Sequence, residues 1–192
     1  MIDERFVLIA VAINIFGGLT YLIDTIIGKV RPNKVTWFLW ALAPLIAFIA
    51  QLKQGVGWSS LMTMTAGIGP LLIFSASFLN KKADWKITKF DLSCGALSLI
   101  GLTLWGITRV GNLAILFSII ADGLAAVPII AKSYKAPETE NYKTFLFAMI
   151  SAAITLFTLK EWDFAHYAFP AYIFFICTIL FLLIKFKLGK RY

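Results

Sequence analysis

The chain has 192 residues, of which 60% are hydrophobic and only 15% charged, against roughly 25% charged in an average soluble domain. A single soluble core is excluded by that balance: seven apolar runs of ~20 residues, each enough to cross a ~30 Å hydrocarbon layer, use ~140 residues and leave no room for an extramembrane domain. The net charge of +8 would point a soluble protein towards nucleic acid or anionic surfaces, so its distribution along the chain decides its meaning.

The first predicted span, residues 6–27, follows Asp3 and Glu4, which stand where a signal peptide would carry a basic segment; a membrane helix is the better reading. It holds Asn14 and, about one turn from its end, Asp24, an interfacial charge within reach of headgroups or of Lys29. Asn14 either bonds across helices or contacts a solute. Trp37 and Trp40 open the second span, 35–52, three residues apart on one helical face. Interfacial anchoring is the default for such a pair, and stacking on a solute ring is the sharper alternative. The third span, 58–79, carries Ser59, Ser60, Thr63 and Thr65, which either line a pathway or bond back to their own helix. Gly67, Gly69 and Pro70 weaken its hydrogen-bond ladder.

The fourth span, 92–107, is the shortest, and its Gly95, Ser98 and Gly101 make a small-residue face suited to close packing on the bundle or in a homo-oligomer. Asp122 lies about ten residues into the fifth span, 112–131, roughly 15 Å deep at 1.5 Å per residue. An intramembrane carboxylate usually faces a bundle interior and serves a pathway or a proton relay. Asp122 therefore binds a solute cation or exchanges a proton, unless it is a protonated acid bonded to a neighbouring helix. Pro128 in this span and Pro170 in the seventh, like Pro70, remove backbone donors and are candidate hinges or packing kinks. The sixth and seventh spans are 144–159 and 166–184. His166 is the only histidine, which argues against a His-based metal or catalytic cluster, and Cys94 and Cys177 form no CxxC pattern. No metal, no cofactor and no enzymatic activity are expected, and without a phosphate-binding glycine loop ATP-driven transport by this chain alone is excluded. Glu138 and Glu140 with Lys135 and Lys143 read as a solvated mixed-charge loop.

The basic residues alternate in number from loop to loop. Arg5, Lys53, Arg109 and Lys160 fall on one side, and the other fourteen on the other: Lys29, Arg31 and Lys34; Lys81, Lys82, Lys86 and Lys89; Lys132, Lys135 and Lys143; Lys185, Lys187, Lys190 and Arg191. With seven spans, the positive-inside rule sets the N-terminus outside and the C-terminus in the cytoplasm of a multi-pass plasma (inner) membrane protein. The charge thus records orientation: the expected partners are the lipid bilayer and a small-molecule solute, not nucleic acid. Trp37, Trp40 and Trp85 fall near the inner boundary, and Trp58, Trp105 and Trp162 near the outer.

Two parallel three-helix units need a linking helix between them, and three plus one plus three accounts for seven. Thr25-Ile26-Ile27-Gly28-Lys29 is echoed by Pro128-Ile129-Ile130-Ala131-Lys132, an offset of 103 residues, and Pro70 by Pro170. The units are then residues 1–90 and 111–192, joined by a linker helix in 91–110. The run PIIAKSYKAPETENYKTF resembles the PQ-loop motif, and the whole architecture resembles SWEET-type PQ-loop membrane proteins. Ile129 stands where that family often has Gln, and Thr25 where a first copy would have Pro. The resemblance implies an all-α transporter of a small polar solute, a sugar, amino acid or vitamin-like compound, held near mid-membrane and moved by alternating access. Receptors or structural membrane proteins without transport activity share the fold and are the alternative. An intramembrane enzyme ranks third, because Asp122 lacks an evident second carboxylate.

Overall fold

A computed structural model describes residues 2–79, 86–108 and 110–189, with side chains except at residues 101, 102 and 104–108. Trp85, Lys81, Lys82, Arg109, Lys190, Arg191 and the side chain of Trp105 lie outside the described residues.

Among the described residues every regular element is helical. The α-helices are α1 (Val7–Ile26), α2 (Lys34–Lys53), α3 (Ser60–Ala76), α4 (Lys89–Thr108), α5 (Gly111–Lys135), α6 (Tyr142–Thr158) and α7 (Phe164–Lys185). They follow the predicted spans to within a few residues; α5 runs furthest beyond its span, continuing through Pro128 to Lys135. Five helical segments, Glu4–Ile26, Lys34–Lys53, Gly57–Ala76, Gly111–Lys135 and Phe164–Lys185, are long and apolar enough to cross a membrane, the first and third counted with the 3-10 turns that lead into α1 and α3. The α6 helix is a shorter apolar helix of 17 residues.

Local chemistry sets the ends. Asn33 caps α2, its side-chain oxygen accepting from the amides of Val35 at 3.1 Å and Thr36 at 3.4 Å. Asn141 caps α6 through the Lys143 amide at 2.8 Å, and Asp163 caps α7 through the His166 amide at 3.1 Å. Each cap satisfies donors that the first helical turn leaves open. Gly28, at φ 76°, adopts the left-handed conformation that lets the chain turn away just after α1.

Contacts between consecutive turns define two ends of the bundle. At one, the Ile2 amide donates to Phe157 O at 3.1 Å, Lys160 pairs with Glu4 at 2.9 Å, and Gln51 Nε2 donates to Ala165 O at 3.0 Å. At the other, the Arg31 amide donates to Thr139 O at 3.1 Å, and Lys185 lies 4.4 Å over the Tyr142 ring. The second end carries most of the described basic side chains and is called the basic end below.

Six helices close a ring in the order α1, α3, α2, α5, α7, α6 and back to α1, while α4 packs outside it on α5 and α2. Small residues permit the close approaches, as expected where helices pack without water to drive them together. A Cβ on Gly17 would fall 2.7 Å from Phe147 Cβ, and one on Gly95 would fall 2.8 Å from Val35 Cγ1. Ser98 donates to Ala121 O at 2.8 Å. Gly95 and Ser98 of the small face of α4 are therefore used within the bundle, against α2 and α5. Outward faces are strongly apolar, with Phe16, Ile23, Leu72 and Phe175 at least half exposed. In water such a surface would be an aggregation liability; against lipid it is the expected exterior.

Candidate functional site

The ring encloses a cavity of about 410 Å³, to which all six of its helices contribute lining residues. Asp122, Asn14, Trp37 and Trp40 all line it, and so does Pro70. Pro128 and Pro170 are buried inside α5 and α7 but are not among the lining residues. The cavity lies towards the basic end. On the opposite side the interior is filled by Val7, Ala47, Met62, Ile115 and Phe169, none more than 1% exposed.

Two hydrogen-bonded pairs at the cavity each join neighbouring helices of the ring, although Tyr172 of the second pair is not itself a lining residue. Thr144 and the Trp37 indole N–H, buried without an acceptor among the described residues, are further polar groups of the lining. Asn14 on α1 donates through Nδ2 to Thr65 Oγ1 on α3 at 3.0 Å. Tyr172 on α7 donates through its hydroxyl to Asp122 Oδ2 on α5 at 2.6 Å. Asp122 is 3% exposed. Its other oxygen, Oδ1, accepts no hydrogen bond among the described residues, so the carboxylate keeps an acceptor free. Thr65 also donates to Met62 O at 2.9 Å, which leaves that hydroxyl little capacity for a ligand. Ser59 and Ser60 bond back to Val56 O and Gly57 O, the ordinary behaviour of hydroxyls at the start of a helix.

Trp37 and Trp40 are 3% and 8% exposed, so the expectation that they anchor the helix at the lipid interface is corrected: both rings point inward. The indole N–H of Trp40 donates to Asp122 O at 3.1 Å. Trp37 meets Trp40 edge to face with centroids 5.3 Å apart, and Trp40 meets Phe145 at 6.1 Å. Three aromatic side chains thus wall the cavity beside the carboxylate. Trp58 and Trp162, by contrast, are at least half exposed, as residues at an interface would be.

Between the cavity and the basic end stands a polar cluster. Lys132 of α5 pairs with Glu140 at 2.5 Å, their side chains 1% and 0% exposed, and Lys132 Nζ also donates to Arg31 O. Tyr21 of α1 donates to the second Glu140 oxygen at 2.7 Å. Glu140 is therefore buried, and the expectation of a solvated mixed-charge loop is corrected for this residue; Glu138 and Lys143 line a second, shallower cavity of about 350 Å³ beside it. Asp24 lies 3.8 Å from Lys29, within the reach expected for it, but its closer partner is Asn141 Nδ2 at 2.6 Å. In the same way Asn33 Nδ2 donates to Asp91 at 2.9 Å.

Sequence reasoning missed Tyr172, Tyr21 and Pro44. Tyr172 and Tyr21 are phenols inside apolar spans, where a hydroxyl needs a partner, and that need was a readable signal. Pro44 sits in the interior of α2 and lines the cavity, so the second span carries a helix-breaking residue just as the third does. At the opposite end, the ligand atoms of Glu161, Asp163 and His166 lie within 4.8 Å of one another, so three potential ligands do gather around the only histidine. Their geometry is explained by the cap: Asp163 accepts from the His166 amide and lies 2.7 Å from its Nδ1. That hydrogen bond holds the exposed Asp163 carboxyl below the usual carboxylate range. Compared with known proteins, the chain matches no family model, no curated sequence and no solved structure.

Proposed function

We propose that this protein is an integral membrane transporter of the PQ-loop and SWEET-like kind, in which seven spans carry a small solute through a central site by alternating access, with Asp122 binding the solute or relaying a proton. The N-terminus lies outside and the basic end faces the cytoplasm of the plasma (inner) membrane. The observation that carries the proposal is the cavity inside the ring of helices, towards the basic end, which Asp122 and Asn14 both line from opposite halves of the chain. A structural carboxylate would be packed dry against its partner, whereas this one keeps a free oxygen on a residue that borders empty space.

Two parallel repeats are part of the reading. Exchanging α1 with α5, α2 with α6 and α3 with α7 maps the ring of helix contacts onto itself. The starts of α2 and α6, Lys34 and Tyr142, are offset by 108 residues, whereas those of α1 and α5 and of α3 and α7 are offset by 104, close to the 103 of the sequence echo. At 108 the capping residues Asn33 and Asn141 coincide, as do Asn14 with Asp122 and Trp37 with Phe145. Thr65 and Tyr172 differ by 107, within one residue of the same register. Asn14–Thr65 and Asp122–Tyr172 are then counterparts, one neutral and one acidic, and the linker helix α4 has none. Alternating access needs two such bodies that can rock about a shared site.

The test is uptake into liposomes by the purified full-length chain. Asp122→Asn keeps the shape and removes the charge, and it should slow uptake roughly tenfold or more, the factor for weakening a hydrogen bond made to a charged group. Unimpaired uptake would remove Asp122 from the mechanism. Binding without any flux would favour a receptor on the same fold.

A further inference from the structure

We infer, resting on that reading of the cavity as a solute site, that the solute is an organic monocation with an apolar body: an aliphatic or aromatic amine, or a quaternary ammonium, and neither a polyol nor a zwitterion.

The charge requirement comes from the lining. Asp122 is the one carboxylate on it, and among the described residues no Lys, Arg or His lines the cavity. The nearest buried cation, Lys132, is engaged by Glu140, and Arg31 O also accepts from it. An anionic group on the solute would meet an acidic site with no counter-charge. A zwitterionic amino acid would satisfy one end and strand the other. A single positive charge is what Asp122 Oδ1 lacks.

The body of the solute follows from the remaining walls. Hydroxyl-rich solutes need a partner for most of their hydroxyls, and each one buried without a partner weakens binding by roughly a factor of five to a hundred. The cavity has little to offer them. Asn14 and Thr65 are bonded to each other and Thr65 again to Met62 O, so what remains is the rest of the Asn14 carboxamide, the Thr144 hydroxyl and the unpartnered Trp37 indole N–H, too few for a polyol in a lining that is otherwise mostly aliphatic or aromatic. Trp37, Trp40 and Phe145 present ring surface beside Asp122, the arrangement in which a cation gains from both a carboxylate and aromatic faces. Ile15, Leu19, Ile68 and Leu72 line the cavity from α1 and α3 and are also at least 40% exposed on the outer surface. The α1 and α3 side of the cavity is therefore apolar where these side chains are accessible, which suits an amphiphilic guest. A volume of about 410 Å³ lies within the range of small-molecule sites, ~300–1,000 Å³.

The experiment uses the full chain in nanodiscs with four probes: N-methyl-4-phenylpyridinium as a permanent cation, phenylalanine as a zwitterion, 3-phenylpropionate as an anion and glucose as a polyol. Binding is read from intrinsic tryptophan fluorescence, since Trp37 and Trp40 border the site, and from thermal shift. The cation should bind and the other three should not at equal concentration. Asp122→Asn should weaken cation binding roughly tenfold or more. Phe145→Leu, which keeps an apolar side chain, should weaken it roughly twofold to thirtyfold and serves if Asp122→Asn does not fold. Equal or tighter binding of phenylalanine or glucose would overturn the inference, as would binding of no probe, or cation affinity unchanged in both variants. Failure of the transport reading looks different. Cation binding that depends on Asp122 without cation flux would leave the ligand class standing and remove transport, while Asp122-dependent uptake of glucose would do the reverse.

Discussion

Breaking the buried Lys132–Glu140 pair should be among the most damaging single changes in the molecule. Both side chains are essentially inaccessible, and the pair ties the α5–α6 turn to α1 through Tyr21 and to the α1–α2 turn through Arg31 O. Glu140→Gln leaves the lysine buried without its counter-charge, and Lys132→Met does the same to the glutamate. Removing one partner of such a pair costs about 3–5 kcal/mol. For a chain of this length each kcal/mol lowers the Tm by ~2–4 °C, so each single variant should melt roughly 6–20 °C below the parent. The double variant removes both charges, and its amide can still accept from Tyr21. It should melt no lower than either single variant, giving a strongly non-additive cycle. Thermal unfolding of the full chain in detergent, followed by tryptophan fluorescence, reads all four proteins. Shifts under ~2 °C for both single variants would refute the burial argument, because a solvated pair contributes only about 0–1 kcal/mol. Additive losses would refute the claim that the two charges act on each other.

Gly67 and Gly69 separate crowding from helix propensity within one helix. A Cβ on Gly67 would fall 2.7 Å from Leu45 Cγ and 3.1 Å from Ala41 O, whereas one on Gly69 meets nothing within 4 Å. Gly67→Ala should therefore destabilise by about 1–3 kcal/mol, and Gly69→Ala should be neutral or gain up to ~1 kcal/mol; melting temperatures in the reverse order would sink the packing account. Asp163→Ala removes the α7 cap and should lower the Tm by roughly 2–4 °C at neutral pH, the effect of losing about 1 kcal/mol of capping. Because the folded-state pKa of Asp163 is depressed, its contribution is fully present above the ordinary carboxylate value of ~3.9 and is lost as pH falls through the lowered value. The gap between parent and variant should accordingly close on acidification below about pH 4, and a gap that widens there would contradict the assignment.

The helices were legible because each is a long apolar run between charged turns, and hydrophobicity needs no partner to be read. That Asp122 lies within an apolar helix was legible for the same reason: a carboxylate stands out where little else is charged. Partnerships were not legible. Nothing along the chain links Tyr172 to Asp122, fifty residues away, or Tyr21 to Glu140, which is more than twice as far. Glu140 looked solvated because its sequence neighbours Glu138 and Lys143 are polar, yet burial is decided by which turn packs over it. The expectation for Trp37 and Trp40 failed similarly. Proximity to the end of a span is shared by interfacial and inward-facing rings, and only the helix rotation set by neighbours such as Ala43 against Ala121 distinguishes them.

The repeat shows most plainly where reading along the chain stops being informative. Apolar helices align in many registers: the echo between Thr25-Ile26-Ile27 and Pro128-Ile129-Ile130 has an offset of 103 residues, the starts of α1 and α5 and of α3 and α7 one of 104, and the caps Asn33 and Asn141 one of 108. In the proposed repeat, with Asn33 set on Asn141, the carboxamide of Asn14 falls on the carboxylate of Asp122. Under the proposed transport reading, a two-fold pseudosymmetric site with a charge on only one side would have a direction built into it. A cation held by Asp122 would be bound by the second half and merely contacted by the first, so rocking of the halves would change its electrostatic surroundings unequally. That asymmetry, and not the approximate symmetry of the helices, is what would let the two facing states of such a site differ in affinity.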